Sequence, residues 1–180
     1  MKRLLFIVSL ALMLSCTKQA LQNTYDQQES KIEAFVKSIQ SSNQSAYVVY
    51  NGGSTRIAVA TDGSTKDSLD VGGTVTFYYA GYTLSGSSVS ASNLFATNKE
   101  DIASAAGWSL TDGDFSAETV KQNDKNLLEG LRNGLLGVKN NGEYFILFSG
   151  KYGYGEQVHG TIPAKSALVY HIWVESFTNE

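Results

Sequence analysis

With one cysteine, one proline and two histidines in 180 residues, the chain has little of what many catalytic sites require. Cys16 stands alone, so no internal disulfide can form, and the exported part of such a chain must fold without one. His159 and His171, with no second cysteine, supply no recognisable zinc set. A Gly-x-Ser-x-Gly nucleophile and a phosphate-binding glycine loop are both missing. The net charge is −3 with no basic block, which argues against a nucleic-acid surface. Asp112-Gly113-Asp114 has the start of a calcium loop but none of the later acidic ligands, and reads as a turn. No metal and no cofactor is expected, and any catalysis must work without strong acids, bases or metals.

What is present begins with an address. Lys2 and Arg3 precede an apolar run, Leu4 to Leu14, that is too short to span a bilayer and ends at Ser15-Cys16. A charged start, a short apolar run and a small residue before cysteine describe an export signal. With cysteine in the last place, the pattern resembles a bacterial lipoprotein signal, although Met13 and Leu14 depart from the usual residues there. That resemblance implies a lipid on Cys16 that ties the chain to a membrane; ordinary secretion is the alternative. No acidic run follows Cys16, which favours an anchor facing the periplasm, in the outer membrane of a Gram-negative bacterium. Residues 17–45 read as a polar tether containing one amphipathic helix, because Ile32, Phe35, Val36 and Ile39 recur at helical spacing among Glu29, Lys31, Glu33 and Lys37. Such a stripe either docks on the folded domain or pairs with a partner, and docking is expected.

Residues 46–180 read as one domain, mostly strands, with no second core. Ala46 to Tyr50 and Arg56 to Ala60 flank Asn51-Gly52-Gly53 and predict a hairpin. From Thr74 to Leu84 the residues alternate, with Val75, Phe77 and Tyr79 on one face. Tyr144 to Ser149 and Ala167 to Ser176 are further strands. Leu127, Leu128, Leu131 and Leu135 share one side of a short helix that Gly134 and Gly137 would end. Lys99 to Ala106 predicts an extra helix, with Asn98 as its cap and Glu100 and Asp101 in its first turn. Antiparallel strands with few helices indicate an α+β fold. Tyr152-Gly153-Tyr154-Gly155 followed by Pro163 suggests a glycine-hinged loop over a concave aromatic pocket.

Several strings in this half are similar to one family. Tyr78-Tyr79-Ala80-Gly81, Leu127-Leu128-Glu129-Gly130-Leu131, Gly134-Leu135-Leu136-Gly137-Val138-Lys139, Tyr152-Gly153-Tyr154-Gly155, Ile162-Pro163 and Leu168-Val169-Tyr170 occur in order, and together resemble an FKBP-type peptidyl-prolyl isomerase. The resemblance implies a bent antiparallel sheet wrapped around a short helix, with an aromatic pocket between them. Carried over residue by residue, it implies that Tyr79, Leu128, Tyr154 and Ile162 do most of the work. Phe95, Leu127, Leu131, Tyr170 and His159 would line the substrate site. The family's pocket aspartate falls on Ala96, or on Ser90 after Val89 if the extra helix is left out of register. Its Trp floor becomes Leu131, and a pocket aromatic between Phe115 and Val120 has no counterpart.

The activity so implied is cis-trans isomerisation of prolyl bonds in exported polypeptides. Two other classes fit the same residues: a chaperone or peptide-binding module that kept the pocket and lost catalysis, and a structural envelope lipoprotein whose amphipathic helix carries the contact. The sequence leaves the oligomeric state open.

Overall fold

The computed structural model describes residues 2–61, 67–111 and 113–179, with side chains in the first helix from residue 18. Cys16, as a side chain, and Asp112 therefore lie outside the described residues. In chain order the elements are α1 Lys2–Ser42, β1 Tyr47–Asn51, β2 Ser54–Ala60, β3 Thr74–Thr83, β4 Leu94–Thr97, α2 Glu100–Ala105, β5 Glu118–Lys121, α3 Glu129–Leu135, β6 Glu143–Phe148 and β7 Leu168–Thr178. Among the described residues no helix is long and apolar enough to cross a membrane.

All seven strands form one antiparallel sheet in the order β1-β2-β6-β7-β3-β4. β5 is off this path: it pairs with Thr74–Phe77 of β3 on the edge that β4 joins further along, from Ala80. Register shifts between Thr76 and Phe77 and between Ala58 and Ala60 bend the sheet.

β6 and β7 show how the sequence sets two layers on this sheet. In β6, Tyr144, Ile146 and Phe148 face α3, while Phe145 and Leu147 face α1, and all five are buried. In β7, Leu168, Tyr170, Ile172 and Val174 join the α3 side and Val169 the α1 side. A strand apolar at consecutive positions is one covered on both faces. The sequence predicted no second core; the structure has two apolar clusters, one on each face of a single sheet.

Three further expectations change on the α3 side. The leucine stripe predicted one helix through Leu127 and Leu128, but Leu128 is the N-cap of α3, with φ −54° and ψ 139°. Gly134 does not end the helix. It lies inside α3, where a Cβ would sit 2.2 Å from Cγ2 of Ile146, so the missing side chain lets the helix press on β6. Gly137, at φ +83°, makes the turn, and the buried Arg56 guanidinium donates to the carbonyls of Gly134 (3.2 Å) and Leu136, closing the helix end.

Asn98 does not cap α2, whose N-cap is Lys99 with no side-chain bond. It is buried in the gap between β4 and β5, where its Oδ1 accepts from the Tyr79 N–H at 2.6 Å and its Nδ2 donates to the carbonyl of Ser116 at 2.9 Å. An amide side chain thus takes the place of the missing strand segment beside Tyr79. Asp114 accepts from the N–H (2.9 Å) and hydroxyl (2.6 Å) of Ser116, as an Asx turn does.

On the other face α1 runs without a break through the stretch expected to be a tether. Ile32, Phe35 and Val36 are buried against Ile57, Phe145, Leu147 and Val169, and the Phe35 ring meets Phe145 edge-on at 5.2 Å. Gln28, also on the docked stripe, accepts from the Gly150 N–H at 2.8 Å and donates to the Lys165 carbonyl.

Beside α1, His171 lies between the rings of Phe145 (4.0 Å) and Trp173 (3.8 Å), with Nε2 2.7 Å from the Glu143 carboxylate. Burial lowers the His171 pKa from its usual 6.5, and the Glu143 hydrogen bond and charge oppose this without reversing it. The pair is then a neutral imidazole bonded to a carboxylate rather than an ion pair. Above about pH 6.5 His171 is neutral in both folded and unfolded chains; as pH falls below that value the unfolded chain takes the proton first, and stability is lost until the folded value is passed. The melting temperature should therefore fall more steeply between pH 7 and 5 in the native chain than in His171→Gln. Parallel profiles would remove His171 from the explanation.

Candidate active site

The cleft between β3, β7, α3 and the 150–165 loop holds about 350 Å³. Its position follows from the strand pleat: Phe77 and Tyr79 on β3 and Tyr170 on β7 point the same way, toward α3. Tyr170 is the hub. Its ring lies 6.1 Å from Tyr79, 5.7 Å from Phe95 in an edge-on contact and 6.0 Å from Phe148 in a stacked one. Phe95 reaches this cluster from β4 by lying across Gly81, where a Cβ would meet the ring at 2.6 Å.

Helix α3 supplies Leu131 to the floor, and the chain just before it supplies Leu127 and Leu128. The Leu128 carbonyl accepts from Arg132 to start the helix, while its backbone N–H, at the N-cap, bonds no described backbone group. Both leucines are half-buried and line the cleft from the segment before α3.

The far wall is the 150–165 loop. A single 3-10 turn at Gly150–Tyr152 opens it, Gly155 N–H donates to the Gly150 carbonyl (2.9 Å), and Lys165 N–H donates back to the Gly155 carbonyl (2.6 Å). At its tip His159 and Ile162 exchange both backbone bonds, at 3.0 and 2.9 Å, which sends the Ile162 side chain inward to 3 % exposure. Tyr154 and His159 stack at 4.1 Å with rings 9° apart, forming a flat aromatic rim.

Tyr79, Leu128, Tyr154, Ile162, Phe95, Leu127, Leu131, Tyr170 and His159, brought forward from the sequence, all line this one cleft. Phe77, Ala96, Glu118, Asn126, Gly160 and Thr161 complete the lining. Phe77 lies on the same face of the alternating run as Tyr79, but only Tyr79 fell on a residue that the family likeness singled out. Glu118 was missed because β5 is four residues long and polar at most positions.

Burial raises the pKa of Tyr170 far above that of a free tyrosine, with the neighbouring Tyr154, Tyr79 and Glu118 adding to it. Burial also raises Tyr79, with Glu118 and Tyr154 adding, and burial alone raises Tyr154. All three phenols stay protonated at neutral pH and so keep an O–H to donate, in a cleft whose lining mixes polar and apolar atoms. The described residues contain no group of three or more His, Cys, Asp or Glu side chains suited to a metal. The arrangement offers a half-open cleft that joins aliphatic and aromatic side chains to phenol donors, suited to an extended group that has apolar parts and carbonyls.

Comparison with known proteins agrees with this geometry. The sequence model of the FKBP-type peptidyl-prolyl cis-trans isomerase family matches residues 66–175, which include β3 to most of β7 and the whole cleft. No curated protein matches the chain. Among solved structures, that of the three FKBP domains of wheat FKBP73 is similar, with a TM-score of 0.57 at 16 % identity, over 74 % of this chain and 51 % of that one. The chain thus spans about half the length of that relative, and the likeness is one of fold. The family match covers well over half of the sequence and takes in the complete cleft, and on that footing the chain belongs to the FKBP-type peptidyl-prolyl cis-trans isomerase family.

Proposed function

We propose that the chain isomerises prolyl peptide bonds in exported polypeptides, working from a membrane to which a lipid on Cys16 ties it, on the periplasmic side. The observation that carries this reading is the convergence of Tyr79, Leu128, Tyr154 and Ile162 on one cleft whose lining also includes Leu131, Phe95 and Tyr170. Lys2-Arg3, the apolar run and Cys16 support the location.

The chemistry asks little of acids or bases. A peptide bond is planar through resonance, and the twist barrier of about 18–20 kcal/mol is the loss of that resonance. As the bond twists, the carbonyl oxygen gives up negative charge and the nitrogen becomes pyramidal and basic. Water stabilises the planar, more polar form; apolar walls at Phe95, Leu131, Ile162 and Tyr170 do so less, which lowers the twisted state relative to it. Interactions better made with the twisted bond than with the planar one are those that accelerate exchange. The Tyr154 hydroxyl and the Leu128 N–H would hold carbonyls of the flanking chain and fix the reacting bond over Tyr170. Uncatalysed exchange takes tens to hundreds of seconds, long enough for modest acceleration to matter in folding.

Replacing Tyr154 by Phe keeps the ring stack on His159 and removes one donor. With a hydrogen bond worth about 0.5–1.5 kcal/mol net, kcat/KM for a prolyl peptide should fall roughly three- to tenfold in a protease-coupled or refolding assay. An unchanged rate would take Tyr154 out of the mechanism.

Ala96 in place of an acid and Leu131 in place of an indole favour a second reading, that the cleft binds prolyl segments without accelerating their exchange. Saturable peptide binding with no rate change at stoichiometric protein would decide for it.

A further inference from the structure

We infer that Glu118 makes the cleft selective for a proline flanked by lysine or arginine. This rests on the reading above, that the cleft takes prolyl segments.

The register of β5 fixes where this carboxylate points. Glu118 lies opposite Phe77 and Val120 opposite Val75, and residues opposite one another in an antiparallel pair project to the same face. Phe77 and Val75 are buried in the α3-side core, so Glu118 shares the face of the cleft and lines it. The intervening Thr119 turns to the other face, where its hydroxyl meets that of Thr76 at 2.9 Å. The Glu118 side chain is exposed at the rim rather than folded into the core.

Nothing described neutralises it. Glu118 takes part in none of the ion pairs among the described residues. The cleft lining contains no lysine or arginine. Lys121, the basic residue of β5, alternates to the opposite face with Thr119, and Lys99 sits over the Tyr78 and Trp173 rings on the α1 side. The reach of the carboxylate extends across the hollow, because it adds to the raised pKa of both Tyr79 and Tyr170 after burial. A lone negative charge beside a low-dielectric wall attracts a cationic side chain and repels an acidic one.

A series of prolyl tetrapeptides with Lys, Leu or Glu placed in turn before and after proline tests this on the full chain. Both kcat/KM and binding are measured at low salt. The native chain should favour Lys over Glu about five- to tenfold at one of the two positions, shrinking toward unity in 1 M salt, where screening acts over about 3 Å. Glu118→Gln should bring the ratio near one, and Glu118→Lys should reverse it. A Lys-to-Glu ratio that is the same in all three proteins overturns the inference and leaves the isomerase reading standing. If no peptide of the series is either bound or isomerised, both fail together.

Discussion

A chain shortened to begin at Ser45 is expected to lose its cooperative fold. The stretch it discards carries the amphipathic stripe expected to dock, and Ile32, Phe35 and Val36 of that stripe retain only 2, 2 and 6 % exposure. Burying each such side chain contributes roughly 1.5–3 kcal/mol. Three of them come to much of the ~5–15 kcal/mol by which domains are stable. Removal also uncovers Phe145, Leu147 and Val169, a continuous apolar face on the two central strands. Far-UV circular dichroism should show a broad, low-temperature transition, and the fragment should bind a hydrophobic dye that the full chain ignores. A milder version is Phe35→Ala, expected to cost about 3–5 kcal/mol in denaturant unfolding. A fragment melting within a few degrees of the full chain would show that α1 is dispensable.

The second large effect concerns activity. Leu131→Asn places a smaller amide with the same branching at Cγ in the floor of the cleft, among Phe77, Ile162 and Tyr170. A buried amide costs about 1–3 kcal/mol, which the fold can absorb, so the variant should stay folded with a lowered melting temperature. Its donor and the water it draws in solvate the planar carbonyl and favour the untwisted bond. The expected result is a fall of about tenfold or more in kcat/KM, equivalent to ~1.4 kcal/mol of lost differential binding. Leu131→Met, flexible and apolar, should stay within about threefold. If Asn and Met variants turn over equally fast, dryness of the floor is not the source of catalysis.

Long regular stretches were the legible part of this fold. The Gly52-Gly53 hairpin, the alternation along β3 and the order of strings from Leu127 to Tyr170 carry enough pattern to be read directly. What escaped was short or set by distant contacts. β4 and β5 are four residues each, too few for alternation to declare itself. Asn98 looked like a cap because local signals were all the sequence offered, whereas its partners lie 18 to 21 residues away across the gap it fills. Gly134 looked like a stop because glycine is poor in helices, and only the Ile146 side chain beneath it explains its place there.

The cleft shows the same division. Its aromatic residues stood out through strand alternation and family likeness, while Glu118 depended on a pairing partner 41 positions earlier. The two-sided burial of the sheet was half visible: the continuous apolar run in β6 fits it, but a polar-flanked helix can either dock or stay free, and only packing decides.

The grip of Gln28 on Gly150 and Lys165 changes how the far wall can behave. A segment pinned at one root swings like a flap; one pinned at both bows like a hoop. With the Gly150–Gly155 and Gly155–Lys165 bonds bracing the base, the freedom left to the arc lies between residues 156 and 164. A polypeptide segment would then slide in sideways, past Glu118 and the Tyr154–His159 rim, without the wall lifting off.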